Sequence, residues 1–159
     1  MCRKLSYLVP FVLVLSLALA NTTKAELVGW WRFDEGSGTT AVDSSGNGND
    51  GTFNGDPQWV IGYFGGALEF DGTDDWLDCG SDPSLDLTTW TITFWVKVNV
   101  NKNYNGFIIK GDDAAENYEV LGFEDGSLHF PITFEDGSRT YLNSDTGLIV
   151  PDEWAHFAY

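Results

Sequence analysis

Basic residues are scarce in this 159-residue chain: 8 Lys and Arg stand against 24 Asp and Glu, a formal net charge of −16. Nucleic acid and anionic lipid surfaces are gripped through clustered Lys and Arg, so both are excluded as partners. Cysteine is scarcer still. Cys2 lies in the N-terminal segment and Cys79 is the only one after it, so the rest of the chain cannot form an internal disulfide. Cys79 ends the alternating stretch Trp76-Leu77-Asp78-Cys79 and is expected to be a plain buried thiol. No stretch sustains helical periodicity. G-x-S-x-G, P-loop and cysteine/histidine zinc spacings are missing as well.

One long apolar run is present. After Met1-Cys2-Arg3-Lys4 the chain is apolar from Leu5 to Ala20, interrupted by Ser6, Tyr7, Pro10 and Ser16. A basic start, a short apolar centre and a small-residue exit (Ala18-Leu19-Ala20 or Thr23-Lys24-Ala25) are the parts of a secretory signal. The run is shorter than the roughly 20 residues a membrane helix needs. Residues 1–25 therefore read as a cleaved signal and 26–159 as one domain, secreted or held at the cell surface, with no membrane insertion. Cleavage after Ala25 leaves five basic side chains against 24 acidic ones. An aromatic content of 15% argues against disorder, because such a chain can bury a core.

Strand signals fill that domain. In Trp90–Val98 the residues Trp90, Ile92, Phe94, Val96 and Val98 alternate with Thr91, Thr93, Trp95 and Lys97, the period of two of a half-buried strand. "LVGWWRFD" (27–34), "ALEF" (67–70), "WLDC" (76–79), "GFIIK", "YEVLGF", "SLHFPITF", "RTYLN" and "WAHFAY" are further strand candidates. Asp71-Gly72-Thr73-Asp74-Asp75 has the composition of a tight hairpin between two of them. Phe-Glu-Asp-Gly-Ser occurs at 123–127 and again at 134–138, which predicts successive hairpins of one antiparallel sheet. Pro131 predicts an edge or bulged position for its strand, and "SDPSLDLTTW" predicts one helical turn.

Between Asp43 and Gly51 every residue is Asp, Asn, Ser or Gly. Asp43, Asn47, Asn49 and Asp50 offer oxygens of the kind Ca²⁺ takes, six to eight at about 2.3–2.6 Å. Read from Asp43, however, the EF-hand template fails at positions three and twelve. The same composition also builds a long connection of Asx-turns without any ion. Asp71, Asp74 and Asp75 crowd a second bend.

Trp95 falls on the polar face of its strand and is the foremost candidate for ligand contact. Trp30 is placed similarly, beside Arg32, where a cation–aromatic stack accounts for the pair. Glycoside hydrolysis needs two positioned carboxylates. Glu116, Glu119 and Glu124 lie near one another but lack an alternating acid spacing, so no catalytic residue is expected. His129 and His156 sit in apolar strand contexts without a nucleophile beside them.

"GWWRFDEGSGTTAVDSSGNGNDGTF", "FGGALEFDGTDDWLDCGSDPSLDL", "WTITFWVKV" and "EWAHFAY" occur in that order. Together they resemble the laminin G-like jelly-roll domains of the concanavalin A-like lectin/glucanase superfamily. The resemblance implies an all-β, two-sheet antiparallel jelly-roll sandwich. It also implies further strands past Tyr159, so the chain is expected to be a truncated piece of a longer protein. It implies Ca²⁺ beside a loop face as well, with Asp43, Asn47, Asn49 and Asp71 as the foremost ligands and Asp75 and Asp34 behind them. The expected function is a noncatalytic recognition module for a glycan or an extracellular protein. The alternatives are an adhesion or spacer domain, or an accessory part of a glycan hydrolase whose acids lie elsewhere.

Overall fold

The computed structural model describes residues 25–87, 89–111, 118–134 and 136–159. The expected signal, apart from Ala25, and Glu116 lie outside the described residues. The N-terminal half carries β1 (Thr40–Ala41), β2 (Gly51–Asn54), β3 (Gln58–Ile61), β4 (Gly66–Glu69) and β5 (Trp76–Asp78), followed by a 3₁₀ turn at Pro83–Leu85. The C-terminal half carries β6 (Thr93–Val96), β7 (Asn105–Lys110), β8 (Tyr118–Gly122), β9 (Leu128–Thr133), β10 (Arg139–Asn143) and β11 (Ala155–Ala158). All the described pairings are antiparallel, in sheets ordered β1-β2-β5, β3-β4, β10-β9-β8-β7 and β11-β6.

The C-terminal half forms two layers with one core between them. Val120, Leu128, Phe130 and Ile149 are buried, with Phe94, Val98, Phe107, Ile108, Phe157 and Tyr159 packed around them. Phe94 and Val98 come from the apolar face of the Trp90–Val98 alternation, as its period requires. Leu128 is fully enclosed, a contribution of about 2 kcal/mol. Each residue pointing into this layer leaves its strand neighbours pointing out. Trp95 and His156 therefore share the outer face of β6–β11, and His129, Pro131 and Tyr141 share the outer face of the larger sheet.

The repeated Phe-Glu-Asp-Gly-Ser motif builds the same turn twice. Phe123 N donates to Ser127 O at 3.0 Å, and Phe134 N donates to Ser138 O at 2.8 Å. In each, the aspartate accepts from the serine N–H (Asp125 from Ser127, Asp136 from Ser138). Glycine supplies the positive φ, 76° at Gly126 and 79° at Gly137, that a compact hairpin demands.

Three local expectations are corrected. Pro131 lies neither on an edge nor at a register shift: β9 sits between β8 and β10 with Pro131 opposite Tyr141, and β8 and β9 keep one register on either side of it. The β8–β9 pairing only lapses beside it, between Tyr118↔Ile132 and Leu121↔His129, which absorbs the missing N–H. "ALEF" and "WLDC" do not form a hairpin: β4 pairs with β3 and β5 with β2, so Asp71–Asp75 crosses between sheets. "LVGWWRFD" is not a strand. It makes a single bridge, Trp31↔Asp43, and Phe33 has a φ of 59°.

That Phe33 kink lets the backbone press on the β3–β4 hairpin. A Cβ at Gly66 would lie 1.8 Å from Phe33 O, while Gly66 N donates to Asp34 Oδ1 at 3.0 Å. Gly66→Ala is expected to cost about 2–3 kcal/mol through overpacking, seen as a lowered midpoint in urea denaturation. An unchanged midpoint would mean the contact is not held in solution.

Candidate functional site

The Asp43 loop is built around one carboxylate. Asp43 retains 6% of its exposure. Its Oδ1 accepts from Trp30 N at 2.9 Å and Ser45 N at 2.8 Å. Its Oδ2 accepts from Ser45 Oγ at 2.7 Å and Asn49 N at 3.1 Å. Burial raises the pKa of this carboxyl, but the hydrogen bonds from Ser45, Trp30 and Asn49 outweigh it and hold the group below its ordinary value. Asn47 Nδ2 donates to the carbonyls of Leu27 and Val28. Asn49 Nδ2 donates to Val28 O and Ser84 Oγ, and Asn49 O accepts from Trp31 Nε1 at 2.7 Å. The loop thus ties the 27–31 stretch to the body of the domain with side chains, where a strand was expected to do it with backbone.

This donor set does not fit a calcium ion. A cation needs converging oxygens, whereas both Asp43 oxygens already face N–H and O–H donors, and Asn47 and Asn49 turn amide nitrogens toward carbonyls. Asp71 is not part of the group either. In the β2–β5 ladder Thr52 faces Asp78 and Asn54 faces Trp76, so the 43–50 loop and the 71–75 bend flank opposite ends of that ladder. The single rim expected from Asp43, Asn47, Asn49 and Asp71 is not assembled. Asp71, Asp74 and Asp75 do bring carboxylate oxygens within 4.8 Å of one another. Their crowding follows from turn bonding: Asp75 accepts from Asp56 N and Asp71 N, and Asp71 from Thr73 N. Asp34 pairs with Arg32 at 2.7 Å and accepts from Gly66 N.

Trp95 is on the outer face, as its register predicted, but it is not a bare platform. Tyr63 stacks on it at 4.1 Å between centroids and 10° between planes. Phe64 meets it edge-on at 5.7 Å, and His156 lies 5.0 Å away as its cross-strand partner. Tyr63 and Phe64 form the tip of the β3–β4 hairpin, closed by Gly62 N donating to Gly65 O. Phe64 is 73% exposed, against 40% for Trp95. On the same face Lys97 lies over the Trp154 ring at 5.6 Å. Arg32 lies over the Trp30 ring at 5.4 Å, beside the Asp43 loop that Trp30 N bonds. The sequence reading missed Tyr63, Phe64 and His156. Two consecutive aromatics between glycines in "GYFGG" were the available signal, since a hairpin tip cannot bury both.

Residues 71–159, more than half of the chain, match the laminin G family profile described as concanavalin A-like lectin/glucanases superfamily. The chain belongs to that superfamily. A solved structure of an S-layer domain-containing protein (residues 221–444) from Clostridium thermocellum ATCC 27405 has the same fold, with a TM-score of 0.63 and 23% identity. The match covers 76% of this chain and 58% of that one, so the chain spans less than two thirds of that structure. Comparison with curated proteins gave no match. Among the described residues no helix is long and apolar enough to cross a membrane.

Within this lectin-like fold Cys79 is free and half-buried. Burial first, then the negative charges of Asp78 and Asp43, push its thiol up to about 11. Alkylation by iodoacetamide at pH 8 is expected to be roughly a hundredfold slower in the native protein than in urea; equal rates would show the thiol to be open.

Asp43→Ala leaves the N–H groups of Trp30, Ser45 and Asn49 without their acceptor and is expected to cost about 3 kcal/mol or more. The loss is expected to be the same in millimolar calcium and in chelator. A calcium-dependent rise in melting temperature that Asp43→Ala removes would instead make this carboxylate a ligand. Because the folded pKa is depressed, the stabilisation by Asp43 is complete above about pH 4, near the unfolded value. It disappears as pH falls through the lower folded value, and the stability of Asp43→Ala is expected to change less over that acid range.

Proposed function

We propose that this domain is a noncatalytic recognition module of a secreted or cell-surface protein, and that it binds a neutral glycan through the Tyr63–Phe64–Trp95 surface. The observation carrying this reading is three aromatic rings clustered where an exposed hairpin tip meets β6, beside His156 and the Lys97–Trp154 pair. Ring faces and edges take the C–H faces of a pyranose, while the imidazole, the tyrosine hydroxyl and the ammonium take its hydroxyls. Membership of a lectin/glucanase superfamily supports the ligand class. The noncatalytic reading draws on the acids near one another in sequence: Glu119 is engaged by Arg139 at 3.5 Å, and Glu124 accepts from Asn103 Nδ2. No part of this reading needs calcium.

The S-layer protein of similar fold supports a second reading, an adhesion or spacer domain without a small ligand. A glycan array probed with the purified protein separates the two. Binding to neutral oligosaccharides is expected, weakened about tenfold by Phe64→Ala, which removes an exposed anchor with little change in melting temperature. A folded protein that binds no glycan would leave the spacer reading.

A further inference from the structure

We infer that β10 is an association edge, where two copies of this chain pair their β10 strands antiparallel about a two-fold axis and join their four-stranded sheets. The contact is independent of glycan binding. β10 ends its sheet and, among the described elements, packs on β9 alone. All five of its residues, Arg139 to Asn143, are exposed. Its register with β9 is unbroken, and it carries no proline, lysine or bulge, the devices that blunt an open edge. The other edge of the same sheet is blunted: β7 is bulged between Gly106 and Ile108 and ends in Lys110.

The backbone groups at this edge follow from the β9–β10 ladder. Phe134 N donates to Ser138 O, and Ser144 N donates to Leu128 O, so the even-numbered residues of β10 bond β9. Arg139, Tyr141 and Asn143 therefore turn their N–H and C=O groups outward, as alternation in an antiparallel pair requires. Such a row is a template for another strand.

Side chains select which strand. Leu142 lies opposite Phe130, on the core face of the sheet, yet Leu142 is 51% exposed and Phe130 8%. The β6–β11 layer does not extend over β10. A two-fold axis perpendicular to the sheet keeps each face on its own side, and the residue on the axis meets itself. With Leu142 there, two leucines cover each other in the close, non-hydrogen-bonded kind of pair. Tyr141 then meets Asn143 of the second copy, and Arg139 meets Asp145. With Tyr141 on the axis, Arg139 meets Asn143 instead and Asp145 comes beside Asp136. Opposite charges across a strand pair stabilise and like charges destabilise, so charge selects the Leu142 register. The same property suits this edge to self-association in a chain of net charge −16: residues 137–144 hold no carboxylate.

The test is sedimentation velocity of the purified protein in about 0.15 M salt, where charges more than about 8 Å apart are screened. A contact of this size belongs to the weak class, so dimer is expected at about 0.2 mM protein and monomer at about 2 μM. Asn143→Pro removes an outward N–H without touching the β9 ladder and is expected to weaken dimerisation tenfold or more. Arg139→Asp and Asp145→Arg each oppose like charges and are expected to weaken self-association to a similar degree. Mixed together, these two variants are expected to form a heterodimer, because each arginine then meets an aspartate. Leu142→Cys reads the register without altering charge: with oxidised glutathione it is expected to give a disulfide-linked dimer in higher yield than Thr140→Cys. A folded wild-type protein that stays monomeric at about 0.2 mM overturns the second copy as the occupant of this edge. A dimer indifferent to Asn143→Pro overturns the β10 contact. Charge variants that do not associate when mixed, or equal yields from the two cysteine variants, overturn the register.

Discussion

The thin apolar layer between β6–β11 and the four-stranded sheet constrains everything outside it. Each strand has two faces, and once Phe94, Phe157, Leu128 and Phe130 are committed inward, Trp95, His156, His129 and Tyr141 have nowhere to go but out. The aromatic content that builds the core therefore also supplies both outer surfaces. What shapes them is local geometry. A hairpin tip laid over Trp95 on one face, and Tyr104, at a φ of 66°, on the other, turn flat strand faces into shaped ones.

The Asp43 loop follows a different logic from the one its composition invites. A buried carboxylate must be compensated, and a divalent ion and a ring of N–H and O–H donors are alternative ways of doing so. Here the donors are supplied by the loop's own backbone, by Ser45 and by Trp30. The Asn side chains then spend their amides on the carbonyls of Leu27 and Val28, which no neighbouring strand takes up among the described residues. Asp, Asn, Ser and Gly in that order are equally good at gathering oxygens and at gathering amides. Composition does not distinguish the two; the direction of each side chain does.

The strands that alternate cleanly were legible in the sequence, because period two survives any tertiary arrangement. Trp90–Val98, the two Phe-Glu-Asp-Gly-Ser hairpins and the outward position of Trp95 were read this way, and so was the family, through motif order. Pairing between segments distant in sequence was not legible. Whether Asp71–Asp75 joins partners or crosses between sheets depends on where β2 and β3 lie, and β3 itself, "QWVI", is too short to show a period. The candidate metal residues failed as a group for the same reason: nothing local tells that Asp43 and Asp71 flank opposite ends of one ladder. Pro131 was read by a rule that holds for intact ladders, and its own ladder is interrupted.

The acidity of the domain acts in two ways, at long range and at short range. An excess of carboxylates acts at long range through the net field, but at short range many of the described ones have an assignment. Asp43, Asp125 and Asp136 organise turns, Asp34 and Glu119 pair with arginines, and Asp71 and Asp75 accept turn amides. With local charge spent on the fold, the aromatic surfaces offer shape and hydrogen bonding rather than charge. The long-range field then excludes polyanions without attracting any particular cation. The two outer faces, though built from unrelated stretches of sequence, are both aromatic, and neither leaves a cluster of basic side chains at its surface.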